Sequence, residues 1–209
     1  MYALFAEHNP KKRGHDCQVI QSTRMDWTEL PRLDGERISL RRLCDRDVDA
    51  LFTIFSDPRV MRYWSTPPLR NRQAAVDLLK EIHELFDKRV MLKWGVALRN
   101  NDVVIGTTTL FNLNLENGRA EIGYGLGSQY WGNGYMNEAL RTLVSYAFGL
   151  LDLRRLEADV DPRNTNSIRT VERLGFRQEG LLRERWHVNG EIQDSLFYGL
   201  LKREWQNRS

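Results

Sequence analysis

The stretch from Ala120 to Leu150 constrains the fold more than any other part of this chain. A strand-like segment, Ala120–Leu126, runs into a loop with glycines at 132 and 134, and the loop opens a helix-period segment, Tyr135–Leu150. Within that last segment Met136, Ala139, Leu140, Leu143, Val144 and Ala147 recur at i, i+3, i+4 steps, so they share one face of a helix. Upstream the period is two. Leu92–Leu98 and Val103–Leu110 flank Asn100-Asn101-Asp102, and Asn117-Gly118 joins the second run to Ala120–Leu126. Asn-Gly tolerates positive φ at both positions and so marks a tight hairpin. An antiparallel meander therefore precedes the helix.

The flanks extend this pattern. Ile38–Leu43 alternates as a half-buried strand, Asp45 is expected to cap a helix ending at Phe55, and Val60–Tyr63 forms a short helical turn between proline signals. Gln73–Lys88 has helical spacing. Beyond Leu150 come a strand at Arg155–Val160, a helix at Thr165–Leu174 closed by Gly175, and a hairpin of Arg177–Val188 with Glu191–Leu201 across Asn189-Gly190. The order β-α-α-β-β-β-α-β-α-β-β predicts an α/β fold with a mixed, largely antiparallel sheet flanked by helices. For a chain of 209 residues this is one domain, residues 33–209, preceded by a flexible extension, residues 1–32. The basic run Lys11-Lys12-Arg13 in that extension reads as solvated tail.

The loop Gln129-Tyr130-Trp131-Gly132-Asn133-Gly134-Tyr135-Met136 is the place where chemistry is expected. Two glycines without Cβ atoms let successive N–H groups converge, and the following helix N-terminus adds partial positive charge. That combination suits a phosphorylated ligand, although a plain strand-to-helix turn uses the same residues. The third glycine of a dinucleotide-binding loop is missing, and no Gly-Lys-Ser/Thr occurs, which removes a P-loop as well. Thirty-one basic against 28 acidic residues leave a net charge of +3, too little for a strong drive toward nucleic acid. Cys17 and Cys44 lie outside any CxxC spacing, and His83 and His187 belong to no cluster, so no metal is expected. No apolar run reaches the ~18–20 residues of a membrane helix, and a reducing cytoplasm is the expected location.

Gln129-x-x-Gly132-x-Gly134 resembles the pyrophosphate-binding signature of the GNAT superfamily of N-acetyltransferases. The flanking Ala120-Glu121-Ile122-Gly123-Tyr124, Asn164-Thr165-Asn166-Ser167 and Leu174-Gly175-Phe176 are similar to the branch named for the ribosomal-protein acetyltransferases RimJ and RimL. The likeness spans Leu33 to Trp205. It implies acetyl transfer from acetyl-CoA, with no metal, to a primary amine. The acceptor expected from this branch is a peptide or protein N-terminus. A small-molecule amine is the alternative, and a CoA-binding module without turnover is another; a homodimer is common in the family.

The resemblance also implies a site. Strands equivalent to Ala120–Leu126 and Arg155–Val160 part to admit the pantetheine arm, a place that suits Gly123, Gly125 and Gly127. Acetyl-CoA would lie on Leu126, Gly127, Gln129, Trp131, Gly132, Asn133, Gly134, Tyr135 and Met136, with Asn164 and Ser167 across the gap. Asn164 serves equally well as a helix N-cap. Glu121 is the candidate general base, and a backbone N–H near Leu126 would meet the oxyanion. Val171 stands where many family members carry an acidic tyrosine, and Ser167 is the nearest substitute. Tyr63 and Trp64 are candidates for gripping the acceptor.

Overall fold

The computed structural model describes residues 28–188 and 190–206. In chain order the elements are β1 (Leu33–Asp34), β2 (Ile38–Arg41), α1 (Val48–Phe55), α2 (Pro58–Met61), α3 (Arg72–Asp87), β3 (Leu92–Leu98), β4 (Val104–Asn114) and β5 (Arg119–Leu126). There follow α4 (Tyr135–Gly149), β6 (Arg155–Val160), α5 (Thr165–Leu174), β7 (Arg177–Val188), β8 (Glu191–Leu201) and α6 (Lys202–Gln206). The strands form one eight-stranded sheet in the order β1-β2-β3-β4-β5-β6-β8-β7, and β5–β6 is its parallel pair. The mixed, mostly antiparallel architecture is the expected one.

The sheet is covered on both faces. Ala120, Ile122 and Leu126 of β5 pack with Ala139, Leu140 and Leu143 of α4 in one buried cluster. Leu51 and Ile54 of α1 and Leu79 and Ile82 of α3 form a second cluster on the other face. Leu140 and Leu143 are fully buried, so truncating either to alanine would cost about 2–5 kcal/mol.

Several boundaries differ from expectation for identifiable reasons. Asp45 does not cap α1. Residues 45–47 form a 3-10 turn, and the Asp47 carboxylate accepts from the Cys44 amide (2.9 Å) while pairing with Arg41 (2.8 Å). That buried pair ends β2 at Arg41, two residues early. Ordered packing begins before Leu33: Leu30 is buried and the Pro31 carbonyl accepts from the Trp94 indole (2.8 Å). Residues 1–27, where most of the expected extension falls, lie outside the described residues, as does Asn189 of the last turn. The short helix occupies Pro58–Met61 instead of Val60–Tyr63, because Asp57 caps it by accepting from the Arg59 amide.

Two irregular strands shape the site. β4 runs on to Asn114 through a register shift after Phe111, with Asn112 at φ 49°. Between Leu182 and Trp186, β7 takes four steps while β8 takes two, from Ser195 to Gln193. Glu184, at φ 54°, sits in that bulge and donates its N–H to Asp194 (2.9 Å).

Candidate active site

β5 and β6 pair only through Arg119↔Arg155, Ala120↔Leu156 and Glu121↔Glu157, and then part. Gly127 donates to the Ile105 carbonyl of β4 (2.8 Å). Because successive residues of a strand face opposite edges, the Leu126 N–H and C=O point into the gap. The Trp131 indole donates to that carbonyl (2.8 Å), which closes the end of the strand.

The loop beyond Leu126 is held at both ends. At its start Ser128 donates to Asp57 (2.6 Å) and accepts from Arg59 (2.7 Å). At its end Arg37 donates to the Asn133 carbonyl (3.0 Å) and pairs with Glu138 (2.9 Å), with its guanidinium over the Tyr135 ring. Gly132 and Gly134 both sit at φ 79°, in left-handed conformation. No side chain caps α4, so the first-turn N–H groups of this fifteen-residue helix have no intrahelical acceptor. A side chain on Gly132 would meet nothing within 4 Å, so conformation rather than crowding calls for glycine there. Gln129, Trp131 and Asn133 are exposed, and Tyr135 and Met136 pack partly against the core. The cradle fits a pyrophosphate: backbone donors, a helix N-terminus, and no carboxylate free to oppose it, since Glu138 is engaged by Arg37 and by two backbone amides.

Across the gap, Asn164 caps α5 by accepting from the Ser167 amide (3.1 Å). The Ser167 hydroxyl meets the Tyr124 hydroxyl at 2.6 Å. Val171 is buried in the core.

The sheet face beneath α1 and α2 carries the other candidates. Glu121, Gly123 and Gly125 line it, and the Trp64 ring lies over Gly125, where a Cβ would come within 2.9 Å of it. Phe55 meets Trp64 edge-to-face at 5.3 Å. The Lys93 ammonium lies 5.5 Å from the Phe55 ring and 5.9 Å from the Trp64 ring. Burial pushes Lys93 down to about 8, against a weaker pull from Glu81. Trp64 is thus half packing residue and half wall. Tyr63 stands farther out, near Arg62 and Arg163.

Glu121 accepts from Asn112 (3.0 Å), the residue that the β4 bulge turns toward it. Burial pushes the Glu121 carboxyl up to about 7, with Asp159 and Glu157 adding to the rise and Asn112 and Arg185 opposing it. That value suits a group that must release and accept protons near neutrality. Its carboxylate neighbours are compensated. Glu157 pairs with Arg119 (3.0 Å) and Arg155 (2.7 Å). Asp159 faces Arg185 at 3.6 Å and accepts from Ser195 and from the Trp186 indole (3.3 Å). The β7 bulge brings Arg185 and Trp186 there.

The sequence reading missed Arg37, Asp57, Lys93, Asn112, Asp159 and Trp186. Glu138, in the first turn of α4, is already favoured by the helix dipole and so gave no sign of the arginine beside it. Among the described residues, no cluster of three metal-ligating side chains and no helix long and apolar enough to cross a membrane occur.

Comparison with known proteins agrees with this geometry. The family model described as the acetyltransferase (GNAT) domain matches residues 37–177. A Bacillus licheniformis protein named "Uncharacterized N-acetyltransferase p20" is 39% identical over 176 residues, covering 84% of this chain and 99% of the relative. The Bacillus subtilis protein named "Putative ribosomal N-acetyltransferase YdaF" is 41% identical over 101 residues, 48% of this chain and 55% of its own length. The crystal structure of a GCN5-related N-acetyltransferase from Brucella melitensis superposes with a TM-score of 0.77 at 25% identity, covering 87% of this chain and 83% of that one.

Proposed function

This chain belongs to the GNAT acetyltransferase family and is an acetyl-CoA-dependent N-acetyltransferase, and from that premise we propose that its acceptor is the α-amine of a peptide or protein N-terminus, as in the RimJ/RimL branch. The observation that carries this reading is that, among the described residues, Glu121 forms no ion pair and feels only a weak pull from Arg185, while Glu157 and Asp159 beside it each face an arginine. One uncompensated carboxylate suits one ammonium group. A polyamine would need several, and the Lys93 ammonium over Trp64 would repel a second positive charge. The relative named as a ribosomal N-acetyltransferase points the same way. A cytoplasmic location fits an acetyl-CoA enzyme whose Cys44 is a free thiol.

The pyrophosphate rests on the amides of residues 129–136, and the pantetheine arm follows the parted edge of β5. The Leu126 N–H faces the thioester oxygen and stabilises it as an oxyanion. Glu121, directly or through water, takes one proton from the acceptor ammonium. The free nitrogen forms its bond to the carbonyl carbon, the C–S bond breaks, and CoA leaves as thiolate. The nitrogen's second proton passes to water, from which the thiolate is protonated. Ser167 offers its hydroxyl to the departing sulfur.

The test is thiol release over a panel of N-terminal peptides, amino acids and polyamines. Peptides are expected to exceed spermidine in kcat/KM by at least about tenfold; the reverse order would overturn the acceptor assignment. With the best acceptor, Glu121→Gln should lower kcat/KM by ~10²–10⁴ while acetyl-CoA affinity holds. Because the base works ionised, wild-type kcat/KM should rise with pH through about 7, and the variant should lose that limb.

A further inference from the structure

Tyr124 has no part in the mechanism above, yet it makes the direct side-chain link across the opening. It stands three residues beyond Glu121, where β5 and β6 have stopped pairing. Its ring packs with the core on the α4 face, and its hydroxyl reaches the first turn of α5, 2.6 Å from the Ser167 hydroxyl and 3.3 Å from the Ser167 carbonyl. One turn further along α5, Val171 is buried hydrocarbon and supplies no hydroxyl there.

We propose that Tyr124 is a positioning residue for acetyl transfer: its hydroxyl donates to the Ser167 oxygen and so frees the Ser167 proton to point at the sulfur of CoA. This rests on the reading of Ser167 given above. A serine hydroxyl has one proton and two lone pairs. Left alone on a helix, that proton turns back to the backbone carbonyl one turn earlier. Once the oxygen accepts from a tyrosine, the pair is polarised and the serine becomes the better donor. Burial pushes the Tyr124 hydroxyl up to about 12, so it stays protonated throughout the working range and remains a donor. No O–H bond is broken at either residue. The contribution is one hydrogen bond to a sulfur that gains negative charge as the C–S bond opens, and the thiolate takes its proton from water.

The assignment is testable on the product complex, without an acceptor. The thiol of CoA bound to the full chain is titrated by its thiolate absorbance in wild type, Tyr124→Phe, Ser167→Ala and the double variant. Tyr124→Phe and Ser167→Ala should each weaken thiolate formation by about three- to tenfold, the size of one hydrogen bond, with CoA affinity at low pH unchanged. The double variant should be no worse than Ser167→Ala. In turnover, kcat should fall by a similar factor and the KM for acetyl-CoA should hold. An unshifted titration in Tyr124→Phe would make Tyr124 a packing residue and overturn the proposal. A loss of CoA affinity equal to the loss of kcat would also overturn it. So would a shift in Tyr124→Phe with none in Ser167→Ala, since Tyr124 would then be the direct donor. If wild type bound no CoA at all, the cofactor assignment itself would fail, which is a separate result.

Discussion

The proposed cofactor loop and the proposed amine-facing side of the sheet lie within a few residues of each other on β5, and they are built on opposite plans. The loop, residues 127–136, works through its backbone. Glycines at φ 79° and an uncapped helix aim the amides, and side chains serve only to hold the ends, through Asp57 at Ser128 and Arg37 at Asn133. The amine side works through side chains drawn from separate segments: Trp64, Lys93, Asn112, Glu121 and Asp159. A contiguous backbone device tolerates little at any of its own positions. An assembled surface spreads its function over many contacts, each worth less.

The most severe test of that contrast is Gly134→Asp. An acidic side chain against a pyrophosphate costs several kcal/mol, so acetyl-CoA affinity measured by calorimetry should fall by about 100-fold or more. The left-handed backbone adds ~1–2 kcal/mol of strain, so the melting temperature should drop by only about 5 °C. Gly134→Ala keeps the strain without the charge; an equal loss of affinity in that variant would show that conformation alone, rather than anion repulsion, controls the loop.

On the other side, Gly125→Ala puts a methyl where the Trp64 ring lies, at 2.9 Å. The indole must shift, and the acceptor KM should rise by about five- to tenfold, equivalent to ~1–1.4 kcal/mol, while acetyl-CoA affinity stays as in wild type. If acetyl-CoA binding fell instead, the two faces of β5 would not be separable, and the comparison would break.

The third effect is in stability and separates the two regions by pH. The Glu121 carboxyl sits at about 7 in the folded protein against an ordinary 4.5, so the native state holds its proton more tightly than the unfolded chain does. Its contribution to stability is fully present below about 4.5, is lost as pH rises toward about 7, and stays lost above. At ~1.4 kcal/mol per tenfold change in proton affinity, the ionised group costs the fold on the order of 3 kcal/mol. Glu121→Gln should therefore melt several degrees higher than wild type at pH 8, and much closer to it at pH 5. Equal shifts at the two pH values would mean that Glu121 is not buried as described.

The two regions also differ in how far the sequence discloses them. Gln129, Gly132 and Gly134 are neighbours in the chain and occupy one loop, so local spacing was enough to single out the glycine turn that opens α4. The Asn117-Gly118 turn and the six-residue helical pattern beginning at Met136 likewise report local conformation, and the element order followed from them. Asp159 and Trp186 are 27 residues apart, and Arg37 and Glu138 are 101 apart. Pairings at such distances leave no periodicity to read. Asn112 was hidden for a different reason: it reaches Glu121 only because β4 breaks register after Phe111, and nothing in Phe111-Asn112-Leu113 marks a bulge. The capping role of Asp45 failed because Asp47, two residues on, has a buried arginine to face.

The β7 bulge has a consequence outside the site. β7 is the last strand of the sheet, and its hairpin exposes Leu181, Leu182 and Ile192. A straight edge with that composition is a template on which another chain can add a strand. At Glu184 the backbone turns through a left-handed conformation and its N–H goes to Asp194 of β8, so the strand bulges and its edge is not straight, with Arg183, Glu184 and Arg185 set at the break. The irregularity that delivers Trp186 to Asp159 therefore also keeps the sheet from growing, and a substitution that straightened it would show first as loss of solubility.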